Sequence, residues 1–149
     1  HLRGDARVVR THLPECRANT GYQDGMYSLV AGHLDGDEIG TVAMAREAKE
    51  EAGIEVDPEK LKFVHVAHRL NRDQPGQERI DIFYDLTEWR GEITNAEPEK
   101  CDDLSWFDPS DLPVNMLPFV RRVLEDIAKG VSYSEYTTEP VDWQPLLPN

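Results

Sequence analysis

A chain of 149 residues with 39% apolar and 30% charged residues has the length and composition of one domain with a real core. Its net charge of −13 excludes binding to DNA, RNA or anionic lipid by charge, because each phosphate would meet repulsion, although a small polyphosphate can still be held through a divalent metal. Two cysteines, Cys16 and Cys101, are too few for a disulfide framework.

The first thirty residues carry Arg3, Arg7, Arg10 and Arg17 and lack the apolar run of a secretory leader. Arg7 to Thr11 is a short strand candidate, followed by a loop, Pro14 to Gly25, rich in Gly, Asn, Thr and Asp. Met26 to Ala31 reads as a strand ending at Gly32. After a second loop, Gly32 to Gly40, a helix is expected over Thr41 to Ala52, with Thr41 as N-cap and Gly53 as the stop. Leu61 to Leu70 and Arg79 to Leu86 read as strands separated by a turn-rich Asn71 to Gln77. In the second of these, Ile80, Ile82 and Tyr84 are expected to be buried and Asp81 and Asp85 wetter.

Asp103 to Phe107 is a further short strand. Met116 to Lys129 carries Leu117, Val120, Val123, Leu124 and Ile127 at helical spacing and stops at Gly130. Residues 131–149, with Pro140, Pro145 and Pro148, read as an extended tail. No stretch reaches the ~18 to 20 apolar residues that span a bilayer, so a single-domain cytoplasmic protein is expected, its oligomeric state left open. The order β, α, β, β, β, α favours an α/β fold, a mixed sheet with helices on its faces.

The informative stretch is Gly32 to Ile54. At 3.6 residues per turn, Glu47, Glu50 and Glu51 share an arc of about 100°, while Thr41, Ala45, Ala48 and Ala52 gather on the opposite, sheet-facing side. Like charges at these spacings destabilise a helix by a few tenths of a kcal/mol per pair, so something should offset them. One offset is solvation with help from Arg46 and Lys49. The other is a hard divalent cation, Mg2+ or Mn2+, which takes carboxylate oxygens and keeps positions open for water and phosphate.

Competing motifs fit poorly. Read as a calcium loop, Asp35, Asp37 and Gly40 sit at positions one, three and six, but position five is Ile39 and position twelve is Arg46 where a bidentate Glu is needed. The glycines lack the Gly-Lys-Ser/Thr ending of a P-loop. His65 and His68 fall on opposite faces of a strand, which does not make a zinc pair.

The segment resembles the Nudix hydrolase family at every defined position of G-x5-E-x7-R-E-U-x-E-E-x-G-U, with Gly32, Glu38, Arg46, Glu47, Ala48, Glu50, Glu51, Gly53 and Ile54. Chance recurrence in a chain of this composition is on the order of once in a million. The resemblance implies a Nudix-like α/β/α sandwich with a mixed β-sheet. It further implies Mg2+ held by Glu47, Glu50, Glu51 and the Gly32 carbonyl, Arg46 orienting the glutamates, and Glu38 bracing the loop. Water would then attack a phosphorus of a small nucleotide to release two phosphorylated products. The proton of that water would go to a box glutamate or to one of a later loop, where Glu99 is the first candidate and Glu97 the second.

Before the box, Gly25 to Gly32 has Tyr27, Val30 and Ala31 where many members have Trp, Pro and Gly. Beyond it, Glu97-Pro98-Glu99-Lys100-Cys101, Trp106-Phe107 and Asp111-Leu112-Pro113 resemble the MutT-like branch that hydrolyses nucleoside triphosphates. An ADP-ribose or nucleotide-sugar pyrophosphatase and a non-catalytic nucleotide sensor are the alternatives; the full set of box glutamates argues against the sensor. Tyr22, Tyr27, Phe83 and Trp106 are aromatics near the site loops, and Tyr27 and Phe83 are the candidates to stack on a base, with core packing as the competing reading. Residues 32–54 and 97–111 together carry −9 of the net charge, so the acidity is concentrated beside the candidate metal site.

Overall fold

The computed structural model describes residues 3–9, 13–18, 25–34, 36–71, 78–99, 101–108, 110–138 and 143–145. The strands are β1 (Arg3–Val9), β2 (Leu13–Ala18), β3 (Tyr27–Leu29), β4 (Ala31–His33), β5 (Lys62–Asn71), β6 (Arg79–Asp85), β7 (Cys101–Phe107), β8 (Tyr133–Thr138) and β9 (Trp143–Pro145). The helices are α1 (Gly40–Ala52) and α2 (Pro118–Ala128). They form a mixed six-stranded sheet of order β4-β1-β6-β5-β8-β9 and a three-stranded sheet of order β3-β2-β7. In the larger sheet β1 runs parallel to β6 and β5 parallel to β8. This is the expected α/β sandwich with a mixed sheet. No helix among the described residues is long and apolar enough to cross a membrane.

Several expected elements differ, each for a physical reason. The single strand read over Met26 to Ala31 is two. Tyr27–Leu29 pairs with β2 in the small sheet, the buried Val30 carries the chain across, and Ala31–His33 pairs with β1 in the large one. Leu13–Ala18, read as loop from Pro14 onward, is held as a strand by β3 and β7 on its two sides. Of the segment read as an extended tail, Tyr133–Thr138 lies in the large sheet against β5, and Trp143–Pro145 pairs with β8. Residues 10–11, residues 19–24 of the early loop including Tyr22, the turn at 72–77 and residues 139–142 and 146–149 lie outside the described residues.

Helix α1 begins one residue earlier than expected and uses Ile39 as N-cap, with no side-chain cap bond, so Thr41 is inside the helix. Its stop is as expected: Gly53 adopts φ 67, a left-handed turn that favours glycine, and its N–H bonds the Lys49 carbonyl. The buried stripe is Ala43, Met44, Ala48 and Ala52, rotated slightly from the one expected, with Thr41 and Ala45 half-buried. Helix α2 starts at Pro118 and not at Met116, because proline suits the first helical position while pushing Leu117 out of helical geometry. Met116 instead bridges Tyr27: Tyr27 N–H donates to Asn115 O at 2.8 Å and Leu117 N–H to Tyr27 O at 2.9 Å.

The two faces of β6 carry the core. Phe83 is fully buried and its ring meets Phe119 of α2 and His65, and Phe119 meets Tyr136 edge-on. On the opposite face the Tyr84 hydroxyl reaches the first turn of α1 at Gly40. The expected wet position Asp81 is therefore a correction: it lies on the Phe83 face and is completely buried. Arg69 makes this tolerable, donating from Nη2 to Asp81 Oδ1 at 2.9 Å and stacking 4.3 Å above the Phe119 ring, so the carboxylate is buried with its counter-charge.

Candidate active site

The loop after β4 and the outer face of α1 bring together most of the residues singled out by sequence. Arg46 is the hub. Its guanidinium meets Glu38 in a forked pair, Nε to Oε2 at 3.2 Å and Nη2 to Oε1 at 2.7 Å, and Nη2 also reaches the His33 carbonyl at 3.2 Å. Its Nη1 donates to Glu47 Oε1 at 2.8 Å and reaches Glu50 Oε2 at 3.5 Å. A planar fork of fixed donors suits this role, and the bond to Glu38 chiefly holds the Arg46 pKa above its ordinary value. The left-handed turn at Asp37, φ 69, brings Glu38 back over the helix.

Glu47 lies against Gly32. A Cβ placed on Gly32 would fall 1.9 Å from Glu47 Cδ and 2.0 Å from Oε1, so the strand approaches the carboxylate as closely as it does only because residue 32 has no side chain. The Glu47 carboxyl is pushed above the usual range chiefly by burial. The charges of Glu50 and Glu97 add to this, and the Arg46 bond opposes it. Glu51, on the same helix face, accepts from the Ala31 N–H at 3.2 Å, on the other side of Gly32. Thus Glu38, Arg46, Glu47, Glu50, Glu51 and Gly32 are one neighbourhood.

Among the described residues no three carboxylate, imidazole or thiol groups already close on a single point. The donors nevertheless suit a hard divalent cation. They are oxygens, Glu50 is half exposed with a side-chain accessibility of 49%, and the half-buried Glu47 carboxylate is held near two like charges that a cation would neutralise.

Of the later-loop candidates, Glu97 is half-buried and its charge acts on Glu47, whereas Glu99 is exposed. The sequence reading put Glu99 first, and no local pattern could place Glu97 nearer, because the placement of both depends on backbone bonds between the loop and α1. Tyr27 is half-buried, donates its hydroxyl to Asp103 Oδ2 at 2.6 Å and meets Phe107 edge-on at 4.9 Å between ring centres. Phe83 is a correction: with no exposed surface and rings packed around it, it is core and cannot stack on a base. The Trp106 side chain lies outside what is described. His65 and His68 are apart, as expected. His65 is buried between Val131 O at 2.8 Å and Ser134 Oγ at 2.7 Å, and His68 meets Glu78 at 2.6 Å.

A family model described as the NUDIX domain matches residues 7–127. Among solved structures, the fold is similar to a MutT NUDIX hydrolase from Burkholderia pseudomallei, with TM-score 0.75 and 23% identity over 84% of this chain and 97% of that one. It is also similar to a MutT protein from Bacillus halodurans, with TM-score 0.74 and 16% identity over 98% and 94% of the two chains. The E. coli ORF135 protein gives TM-score 0.71 and 19% identity over 86% and 89%.

Proposed function

This chain belongs to the NUDIX family and is a hydrolase of that kind, and from that premise we propose that it cleaves a nucleoside triphosphate to monophosphate and pyrophosphate with Mg2+. The observation that carries the reading is the Arg46 hub, which collects Glu38, Glu47 and Glu50 beside a glycine that no other residue could replace without displacing Glu47. Glu47, Glu50, Glu51 and the Gly32 carbonyl would hold the cation, which when bound supplies positive charge against the diphosphate oxygens.

The protein's own groups do the rest. Arg46 holds two of the ligand carboxylates in orientation, and Glu38 holds Arg46. Glu97, in preference to the exposed Glu99, takes the proton from the attacking water as its oxygen bonds to phosphorus and the anhydride P–O bond breaks. Tyr27, fixed by Asp103, stands on the segment leading into Gly32 and is retained as a substrate contact. The triphosphate assignment draws on the segments after the box and on the MutT names of two structural neighbours.

The test is a Mg2+ assay over nucleoside triphosphates, dinucleotides, nucleotide sugars and ADP-ribose with products identified. The proposal expects a triphosphate to be the best substrate by kcat/KM. A nucleotide sugar or ADP-ribose in first place would replace it with the corresponding pyrophosphatase, and binding without turnover would make the protein a sensor.

A further inference from the structure

The loop between β6 and β7 is anchored on the C-terminal end of α1. A helix leaves its last four carbonyls without intrahelical partners. Here Ala52 O accepts from the Thr94 N–H at 3.0 Å and Glu51 O accepts from the Ala96 N–H at 3.1 Å. Just upstream, Glu55 and Arg90 exchange backbone bonds of 3.0 and 2.9 Å, and Ile93 packs on the core. Thr94 Oγ1 stands 2.8 Å from where a Cβ on Gly53 would be, so loop and helix end are in close contact.

The bond from Ala96 is placed for more than closing a loop. It ends on the carbonyl of Glu51, a candidate ligand, and the next residue in the loop is Glu97. The Ala96 side chain is exposed, so the amide alone makes this connection. We propose that Ala96 is a positioning residue, whose N–H bond to the Glu51 carbonyl sets where the Glu97 carboxylate stands relative to the carboxylates of α1. The helix that carries the ligands then also fixes the proton acceptor, through two backbone atoms. This rests on the assignment of Glu97 as the group that takes the proton of the attacking water.

A double-mutant cycle on the Mg2+-loaded enzyme tests it, using Ala96→Pro, which removes the N–H, Ala96→Gly, which keeps it, and Glu97→Gln. Glu97→Gln is expected to lower kcat about a hundredfold or more, within the range for loss of a general base. Ala96→Pro is expected to lower kcat about tenfold or more with KM within about twofold, Ala96→Gly to stay within about threefold of wild type, and the proline to add nothing to Glu97→Gln. An Ala96→Pro loss of the same factor with and without Glu97, or no loss at all, overturns the positioning role while leaving the Glu97 assignment intact. Wild-type turnover by Glu97→Gln removes that assignment and this proposal with it. Should the proline variant fail to fold by circular dichroism, replacing Ala96 by lactic acid, which exchanges only the N–H for oxygen, gives the same comparison.

Discussion

Replacing Gly32 by alanine puts the geometry of the site to a quantitative test. The glycine lies in a strand and not at a positive φ, so an alanine meets no backbone penalty and the perturbation is steric. Its methyl would lie 1.9 Å from Glu47 Cδ and 2.2 Å from Cγ, against ordinary carbon contacts of about 3.5–4.0 Å. A deficit of that size cannot be absorbed by small shifts, so Glu47 must leave its rotamer and give up the 2.8 Å bond from Arg46.

Losing a charge-assisted hydrogen bond costs about 1.5–3 kcal/mol, and the lower entropy of an unfolded chain with alanine for glycine returns about 0.4–1 kcal/mol. The net loss is about 0.5–2.6 kcal/mol, a fall of roughly 1–10 °C in Tm for a domain of this size. Turnover is expected to fall about a hundredfold, since a proposed metal ligand has moved. Calorimetry and a pyrophosphate-release assay on Gly32→Ala, Glu47→Ala and the double variant read both effects. Once Glu47 is absent the three atoms nearest the methyl are gone, so the double variant should turn over like Glu47→Ala and be more stable than it by the entropy gain of about 0.4–1 kcal/mol. If Gly32→Ala costs as much stability in the Glu47→Ala background, or turns over like wild type, the steric argument is refuted.

Other outcomes follow from the same contacts. Glu51→Gln keeps an oxygen to accept from the Ala31 N–H, so Tm should hold within about 2 °C while turnover drops about a hundredfold or more; near-normal turnover would exclude Glu51 as an essential ligand. Arg46→Lys replaces a planar fork by a point charge that cannot pair Glu38 through two bonds while reaching Glu47, and kcat/KM should fall about tenfold or more, measured by steady-state kinetics. Tyr136 is buried with its hydroxyl donating to Asp126, and burial first, then that bond, raises its pKa above the usual tyrosine range. A raised folded-state pKa gives stability that is complete below the unfolded value, about pH 10, and is lost as pH rises toward the folded one. Denaturant titrations should therefore show a wild-type decline above about pH 10 that is reduced in Tyr136→Phe, and equal declines would contradict the assignment.

What could be read from sequence was what short-range chemistry decides. The end of α1 is legible because Gly53 takes a left-handed turn there, and the box residues are legible because their spacing puts them on one helix face. Elements that depend on partners distant in sequence were not. Leu13–Ala18 and Tyr133–Thr138 are strands because neighbouring strands fill their hydrogen bonds, and neither has an alternation strong enough to announce it. Along β6 Tyr84 is buried as expected, but the face read as wetter is buried too at Asp81 and Phe83, because Arg69, paired with Asp81 from the adjacent strand, makes a buried carboxylate acceptable. The apolar run through Val30 concealed a passage from one sheet to the other. Phe83 and Tyr27 were indistinguishable as aromatics on strands, and only packing assigns the first to the core. The preference for Glu97 over Glu99 likewise comes from where the loop docks, which no local pattern encodes.

The carboxylates around Arg46 are proposed to use a divalent cation to cleave a diphosphate bond. Phosphorus NMR of a nucleoside triphosphate incubated with the protein and Mg2+, repeated after adding excess chelator, tests it most directly. Pyrophosphate and nucleoside monophosphate should appear together and stop accumulating once the cation is removed. Orthophosphate with nucleoside diphosphate as the products, or hydrolysis undiminished by the chelator, would contradict it.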